Sequence, residues 1–405
     1  MKALRAVVVL AVFGVVGLLL AGCSETNSAD GAPTADELFS QGVTYLEDTM
    51  TDADLDQPPW EWDVDMAEAN AYFEDALGLD PDHCGALLLA AITRLALVFQ
   101  DPDLADIVEE LFPDEGRGPD GPGTFLFRAL RKPDVYAAAR RLMASGGDYL
   151  SFSDLQDFIE SDVLPALDYA DGNLTQFEDQ DCVVLLHVEI EEQRAAVEIE
   201  IDVSDVFLMH APLDMLQSML YMVVSYNVDV AGGQTLQELI DDDPDFLSLR
   251  PGDHMASAYT ELFEMEDHLS DGAWSLANET DPQDTDLFTN SDDEGWIPLG
   301  EGFADTLSSI AAEMHDALTN GLSFNPADDT GDPGAPDIDI LVDLEELFTD
   351  PLDPVTDYFP AHTWFDSMTM DVTEPIDFPD PTFSNITPGM TDGDWGDVFD
   401  WLNED

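Results

Sequence analysis

Any fold of this chain has to be assembled almost without cations: 89 Asp and Glu residues stand against 11 Lys and Arg, a formal charge of −78. The acids are 61 Asp and 28 Glu. Lys2 and Arg5 precede the first apolar run, and six more cations, Arg117, Arg128, Arg131, Lys132, Arg140 and Arg141, fall in one stretch. After Arg194 only Arg250 remains. Surface ion pairs therefore cannot hold most of the body together, and self-repulsion in dilute salt is large. The balance excludes nucleic acid as a direct partner, because phosphate binding needs clustered Lys and Arg. It also excludes charge-driven docking on anionic lipid headgroups. The 45% hydrophobic and 9% aromatic content nevertheless supplies a core, which a wholly disordered acidic chain lacks.

The N-terminus reads as an address. Lys2 and Arg5 form a short positive region, and Ala6 to Leu20 form an apolar run of fifteen residues. A bilayer span takes roughly 20, so the length suits a signal peptide better. The run ends in Leu20-Ala21-Gly22-Cys23, followed by polar Ser24-Glu25-Thr26-Asn27-Ser28. This stretch resembles the lipobox of bacterial lipoproteins, in which the Cys is acylated and becomes the new N-terminus. The resemblance implies a signal peptide over 1–22, lipidation of Cys23 and a flexible tether over 23–33. Ser24, in place of Asp, resembles the pattern of lipoproteins released to the outer membrane, so the expected location is the bacterial cell envelope. The Asp-dominated, Lys-poor composition also resembles that of proteins adapted to high salt.

Helical periodicity starts near Ala35 and predicts helices at about 35–49, 64–79, 83–99 and 103–112, with Pro58-Pro59 and Asp101-Pro102 as breaks. Within the second, Ala69, Phe73, Ala76 and Pro81 fall at the spacing of the second helix of a tetratricopeptide repeat. Gly42 and Tyr45 match the small and aromatic positions of its first helix once about fifteen residues are inserted between the two, and Leu87, Ala90 and Ala91 begin a further unit. Small residues let paired helices approach and aromatics plug the gap. The segment 34–112 thus resembles a short tetratricopeptide-like module. Such a hairpin either leans on the rest of the fold or presents a peptide groove.

A Gly/Pro loop at 113–123 marks an internal boundary. Helices are expected at 124–131, 134–145 and 152–170, the last bent by Pro165. The runs Val183–Glu191 and Val197–Val203 alternate apolar and acidic residues, a period of two that predicts a β-hairpin at about 182–203. Ser204 is placed to cap an apolar helix running to about Tyr226 with an interruption at Pro212. Further helices are expected at 234–241, 252–270 and 302–320, completing a helical body over 123–322. Residues 323–405 are rich in Pro and Asp with scattered aromatics, which predicts an irregular strap. Thr391 is placed to cap a short terminal helix carrying Trp395, Phe399 and Trp401. The fold class is mainly α: helical hairpins of tetratricopeptide type packed with a central β-hairpin, plus the Pro/Asp-rich strap.

Chemical motifs are sparse. There is no GxxxxGK phosphate loop, which excludes nucleotide hydrolysis of that class, and neither HExxH nor GxSxG occurs. The seven His residues (83, 187, 210, 254, 268, 315 and 362) include no pair at i, i+4, and His187 reads as a strand residue. Asp52, Asp54 and Asp56 alternate like the ligands of a calcium loop, but Gln57 stands where that turn needs Gly and Asp63 where it needs Glu. Asp328, Asp329 and Asp332 are a looser candidate. Cys84 and Cys182 remain after acylation of Cys23, either as one disulfide in an oxidising compartment or as buried thiols. Trp60 and Trp62 lie in the inserted loop, placed either to stack on sugars or partner proteins or to staple the insertion to the core.

The expectation is a non-enzymatic envelope lipoprotein, membrane-bound through its lipid, acting as a scaffold or binding protein for envelope proteins without a cofactor. Two alternatives accompany it: a calcium-dependent surface or assembly protein, and a carboxylate enzyme acting on envelope polysaccharide.

Overall fold

The computed structural model describes residues 33–50, 65–101, 152–190, 195–228, 245–279, 287–289, 297–300, 302–325, 327, 336–358 and 378–402. Cys23, the calcium-loop candidates Asp52, Asp54, Asp56, Asp328, Asp329 and Asp332, and Trp60 and Trp62 lie outside them. So do the helices expected at 103–112, 124–131, 134–145 and 234–241. The described chain is mainly helical. It falls into two compact units, one of residues Met1–Ala139, Glu160–Asp214 and Asp267–Ile310, the other of Arg140–Ile159, Met215–Glu266 and Ala311–Asp405.

The first unit begins with three helices, α1 (Ala35–Met50), α2 (Met66–Leu79) and α3 (Cys84–Phe99). Each start is written locally. The Thr34 hydroxyl accepts from the Glu37 N–H while the Glu37 carboxylate accepts from the Thr34 N–H, a capping box. The Asp65 carboxylate accepts from the backbone N–H groups of Ala67 and Glu68 and caps α2. The His83 Nδ1 accepts from the Ala86 N–H at α3, and its Nε2 lies 3.2 Å from Asp36. α1 packs on α2, and α2 on α3. A Cβ at Gly42 would sit 2.7 Å from the Phe73 ring, and one at Gly85 2.6 Å from the Phe39 ring, so both glycines are required by close approach. Met66, Ala69, Phe73 and Ala76 of α2 are fully buried, with Ala86 to Ala91 of α3. Within this core, buried Thr93 donates to Asn70 Oδ1 at 2.9 Å.

α4 (Phe152–Phe158) runs through one π turn (Ile159–Val163) into α5 (Leu164–Asp179). The bend expected at Pro165 is therefore a widened turn just before it, and the helix continues nine residues past the expected end at 170. In the first unit α5 packs against α3. Then β1 (Val184–Ile190) and β2 (Ala195–Ile201) pair antiparallel, with Leu186 opposite Ile199 and His187 opposite Glu198. The period of two holds: Cys182 and Val184 are buried while Val183 and Leu185 are exposed.

α6 (Val203–Ser225) is long and apolar enough to cross a membrane by length and composition. It carries fully buried His210 and Asp214 on one face, however, and this fits a core helix. Two local expectations need correction here. Its cap is Asp202, whose carboxylate accepts from the backbone N–H groups of Ser204 and Asp205 and from the Ser204 hydroxyl. And Pro212 sits inside the helix without ending it. The buried Asp205 carboxylate accepts from the Phe288 N–H at 2.9 Å, and burial pushes its pKa well up.

α7 (His254–Asn278) extends eight residues beyond its expected end. β3 (Phe288–Thr289) and β4 (Ile297–Pro298) form a short parallel pair, and α8 (Phe303–Asn320) follows. The second unit holds α4, whose Gln156 amide donates to the carbonyls of Val223 and Tyr226. There too Arg250 pairs with Asp157 at 3.1 Å. The described part of the C-terminal region is more regular than a strap. β5 (Leu322–Phe324) pairs antiparallel with β6 (Ile340–Val342). They are followed by α9 (Leu344–Thr349), a 3-10 turn (Val355–Tyr358) and α10 (Asp392–Leu402). Phe383 anchors this end, its ring packed edge-on to Phe378 and Trp395 at 5.4 and 5.5 Å. Thr391 and Asp394 cap α10 reciprocally.

Candidate functional site

The most concentrated chemistry of the described residues lies in the first unit, where α5, the first half of α6 and the second half of α7 bring five titratable side chains together. α5 offers Asp171 and Glu178, seven residues apart and so on one face; α6 offers His210 and Asp214, one turn apart; α7 offers His268. The two imidazole rings stack at 4.0 Å between centroids, 19° from parallel. His210 and Asp214 have no exposed side-chain surface, Glu178 and His268 retain 10% and 15%, and Asp171 retains 29% at the mouth.

Every imidazole nitrogen faces a carboxylate. His210 Nδ1 lies 2.9 Å from Glu178 Oε1 and its Nε2 2.7 Å from Asp171 Oδ1. His268 Nδ1 lies 2.7 Å from Asp214 Oδ2 and its Nε2 3.5 Å from Glu178 Oε2. Asp214 Oδ1 lies 3.6 Å from His210 Nε2 and has no hydrogen-bond donor of its own.

Burial alone would lower both histidine pKa values. The carboxylates outweigh it, raising His210 to about 9 through Asp171 and Glu178, and His268 to about 10 through Asp214 and Glu178. At neutral pH both rings are therefore imidazolium donors. Burial pulls the Glu178 pKa up, but its bonds to the two imidazoliums win and hold it below the usual carboxylate range. For Asp214 burial prevails and the pKa is raised. With all five ionised, two positive and three negative charges share a nearly dry site. In a chain so poor in Lys and Arg, histidine does the work of the missing buried cation.

Two sets of three place one ligand atom per residue within 4.8 Å of one another and could hold a metal ion: Glu178, His210 and His268, and Asp171, His210 and Asp214. No two histidines stand at i, i+4, so histidine spacing does not reveal this cluster; the local signal is His210 followed one turn later by Asp214 inside an apolar helix.

Among residues the sequence did bring forward, Cys84 and Cys182 are joined in a disulfide across 98 residues, linking the start of α3 to the segment after α5. His187 stands in β1, and His83 serves as the cap of α3. In comparisons with protein-family models, with curated proteins and with solved structures, the chain matches none.

Proposed function

We propose that this chain is a lipid-anchored envelope protein whose helical hairpins serve as a non-catalytic binding scaffold. The observation that carries the reading is the α1–α2 hairpin, built around Gly42 against Phe73 and Tyr72. This is the small-residue-and-aromatic packing by which repeat modules hold paired helices close. Its outer surface stays free for a partner: Asp36, Gln41 and Thr44 of α1 and Glu68, Ala71, Glu74 and Asp75 of α2 are exposed. With Glu and Asp dominating that face, the complementary partner surface is basic. The LAGC sequence ending at Cys23 supports a lipid tether, and the Cys84–Cys182 bridge is in keeping with an oxidising envelope compartment.

The test is site-specific photo-crosslinking in cells, with the reactive residue placed at Gln41, Thr44 or Ala71 and a control at exposed Glu313 of α8. The reading predicts adducts to a discrete envelope protein from the hairpin positions and not from Glu313. Cys23→Ala should abolish these adducts and move the chain out of the detergent phase. Adducts from Glu313 alone, or a Cys23→Ala chain that still partitions into detergent, would contradict it.

A further inference from the structure

The buried cluster holds one oxygen that the protein itself leaves unserved, and the ligands around it suit a metal. Asp214 has no exposed side-chain surface, and its Oδ1 accepts no hydrogen bond. A buried carboxylate oxygen without a donor is an unusual feature that calls for an explanation. That oxygen points to His210 Nε2, 3.6 Å away, and the Asp171 Oδ1 lies 2.7 Å from the same nitrogen.

We propose that Asp171 Oδ1, His210 Nε2 and Asp214 Oδ1 form a binding site for a divalent transition-metal ion, with Zn²⁺ the best-matched species. In a tetrahedral zinc site with bonds of about 2.0–2.1 Å, neighbouring ligand atoms stand roughly 3.3 Å apart. The Asp214–His210 spacing already allows this. Asp171 has to retreat by roughly half an ångström to reach the same tetrahedral spacing, and it is the one ligand at the solvent-facing mouth. The proton on His210 Nε2 leaves to solvent as the ion enters, and water takes the fourth position on the Asp171 side.

The surroundings fit this choice. A metal-bound histidine ordinarily donates its other N–H to a carboxylate, which fixes the tautomer. His210 Nδ1 faces Glu178 Oε1 at 2.9 Å. The second oxygen of Asp214 is steadied by His268 Nδ1 at 2.7 Å. The charge also balances. Without metal, two imidazoliums face three carboxylates; with the divalent ion in place and His210 neutral, the cluster is neutral. The alternative set of Glu178, His210 and His268 has no such opening, since each Glu178 oxygen already faces an imidazole nitrogen. Calcium is disfavoured because it takes six to eight oxygens and no imidazole.

This inference stands apart from the binding role proposed above. Its test uses the full chain in detergent, stripped with chelator and kept in molar NaCl, so that the acidic surface does not retain ions by charge alone. Titration with Zn²⁺ followed by calorimetry should give one site per chain, which Ca²⁺ at equal concentration does not fill. Asp214→Asn and His210→Gln should each weaken Zn²⁺ at least tenfold, and Glu178→Gln should weaken it less. Asp337→Asn, remote in sequence and in the other unit, should leave it unchanged. X-ray absorption of the bound zinc in the unaltered chain should show one imidazole nitrogen in an otherwise oxygen shell. That readout holds even if a variant fails to fold. Unaltered Zn²⁺ affinity in folded Asp214→Asn, an all-oxygen shell, or no binding at all would each overturn the site.

Discussion

Gly42 and Gly78 are both helical glycines of the α1–α2 hairpin, and replacing each with Ala should move stability in opposite directions. Within a helix Ala is favoured over Gly by about 1 kcal/mol, the entropy that glycine gives up on ordering. At Gly78 a new Cβ meets nothing within 4 Å, so Gly78→Ala should stabilise by up to that amount. At Gly42 the Cβ would lie 2.7 Å from Phe73 Cε1, 3.0 Å from Phe73 Cζ and 2.9 Å from Tyr72 Cβ. Phe73 is fully buried and packs 5.9 Å from the Phe39 ring, so it has nowhere to swing. Overpacking of that kind costs about 1–3 kcal/mol. The net for Gly42→Ala is a loss of up to roughly 2 kcal/mol after the propensity gain, and the two variants should differ by about 1–3 kcal/mol. Because the chain forms two compact units, a global melting point is a poor readout. Hydrogen exchange followed by mass spectrometry on peptides covering 35–50 and 66–79 reads the hairpin itself. Exchange should speed in Gly42→Ala and slow in Gly78→Ala. Equal protection in the two variants would refute the close-approach argument on which the hairpin rests.

Three further outcomes follow from the same structure. Reducing Cys84–Cys182, or replacing both with Ser, releases a loop of 98 residues and should lower the denaturation free energy of the first unit by about 4.7 kcal/mol on the loop-entropy model; an unchanged denaturant midpoint with reductant would contradict it. In chelator-treated protein His210 and His268 have folded pKa values raised from 6.5 to about 9 and about 10, so their contribution is complete below pH 6.5 and disappears as pH rises through 9 to 10. The His210 part alone is on the order of 3 kcal/mol, and the alkaline fall in urea-midpoint stability should shrink in His210→Gln. At the buried Asn70–Thr93 bond, Thr93→Val leaves an unmet amide oxygen and should cost about 1–3 kcal/mol; the cost should lessen when Asn70→Leu is added, as a double-mutant cycle of denaturant unfolding would report.

The parts of this fold that the sequence discloses are those encoded within one element. α1, α2 and α3 match their expected spans within two residues because the 3.6-residue periodicity lies inside them and capping side chains and proline breaks lie close by in sequence. The β-hairpin is legible because its residues alternate with a period of two. What the sequence conceals is pairing between elements. Asp171 and Glu178, His210 and Asp214, and His268 occupy three helices, and His210 and His268 are 58 residues apart. Carboxylates give no contrast in a chain with 61 Asp; histidine, at seven residues, is the scarce species, and its position in buried helix faces carries the signal. The capping of α6 by Asp202 is ambiguous in the sequence for a related reason: Asp, Ser and Asp lie within four positions, and each is a competent cap.

The most direct test of the proposed role is the intact mass of the mature chain isolated from membranes without reductant. The account predicts a polypeptide beginning at Cys23, carrying diacylglycerol on its sulfur, with Cys84 and Cys182 unreactive to a thiol label until reduced. A chain that retains residues 1–22, or one cleaved elsewhere and free of lipid, would contradict the tethered binding scaffold.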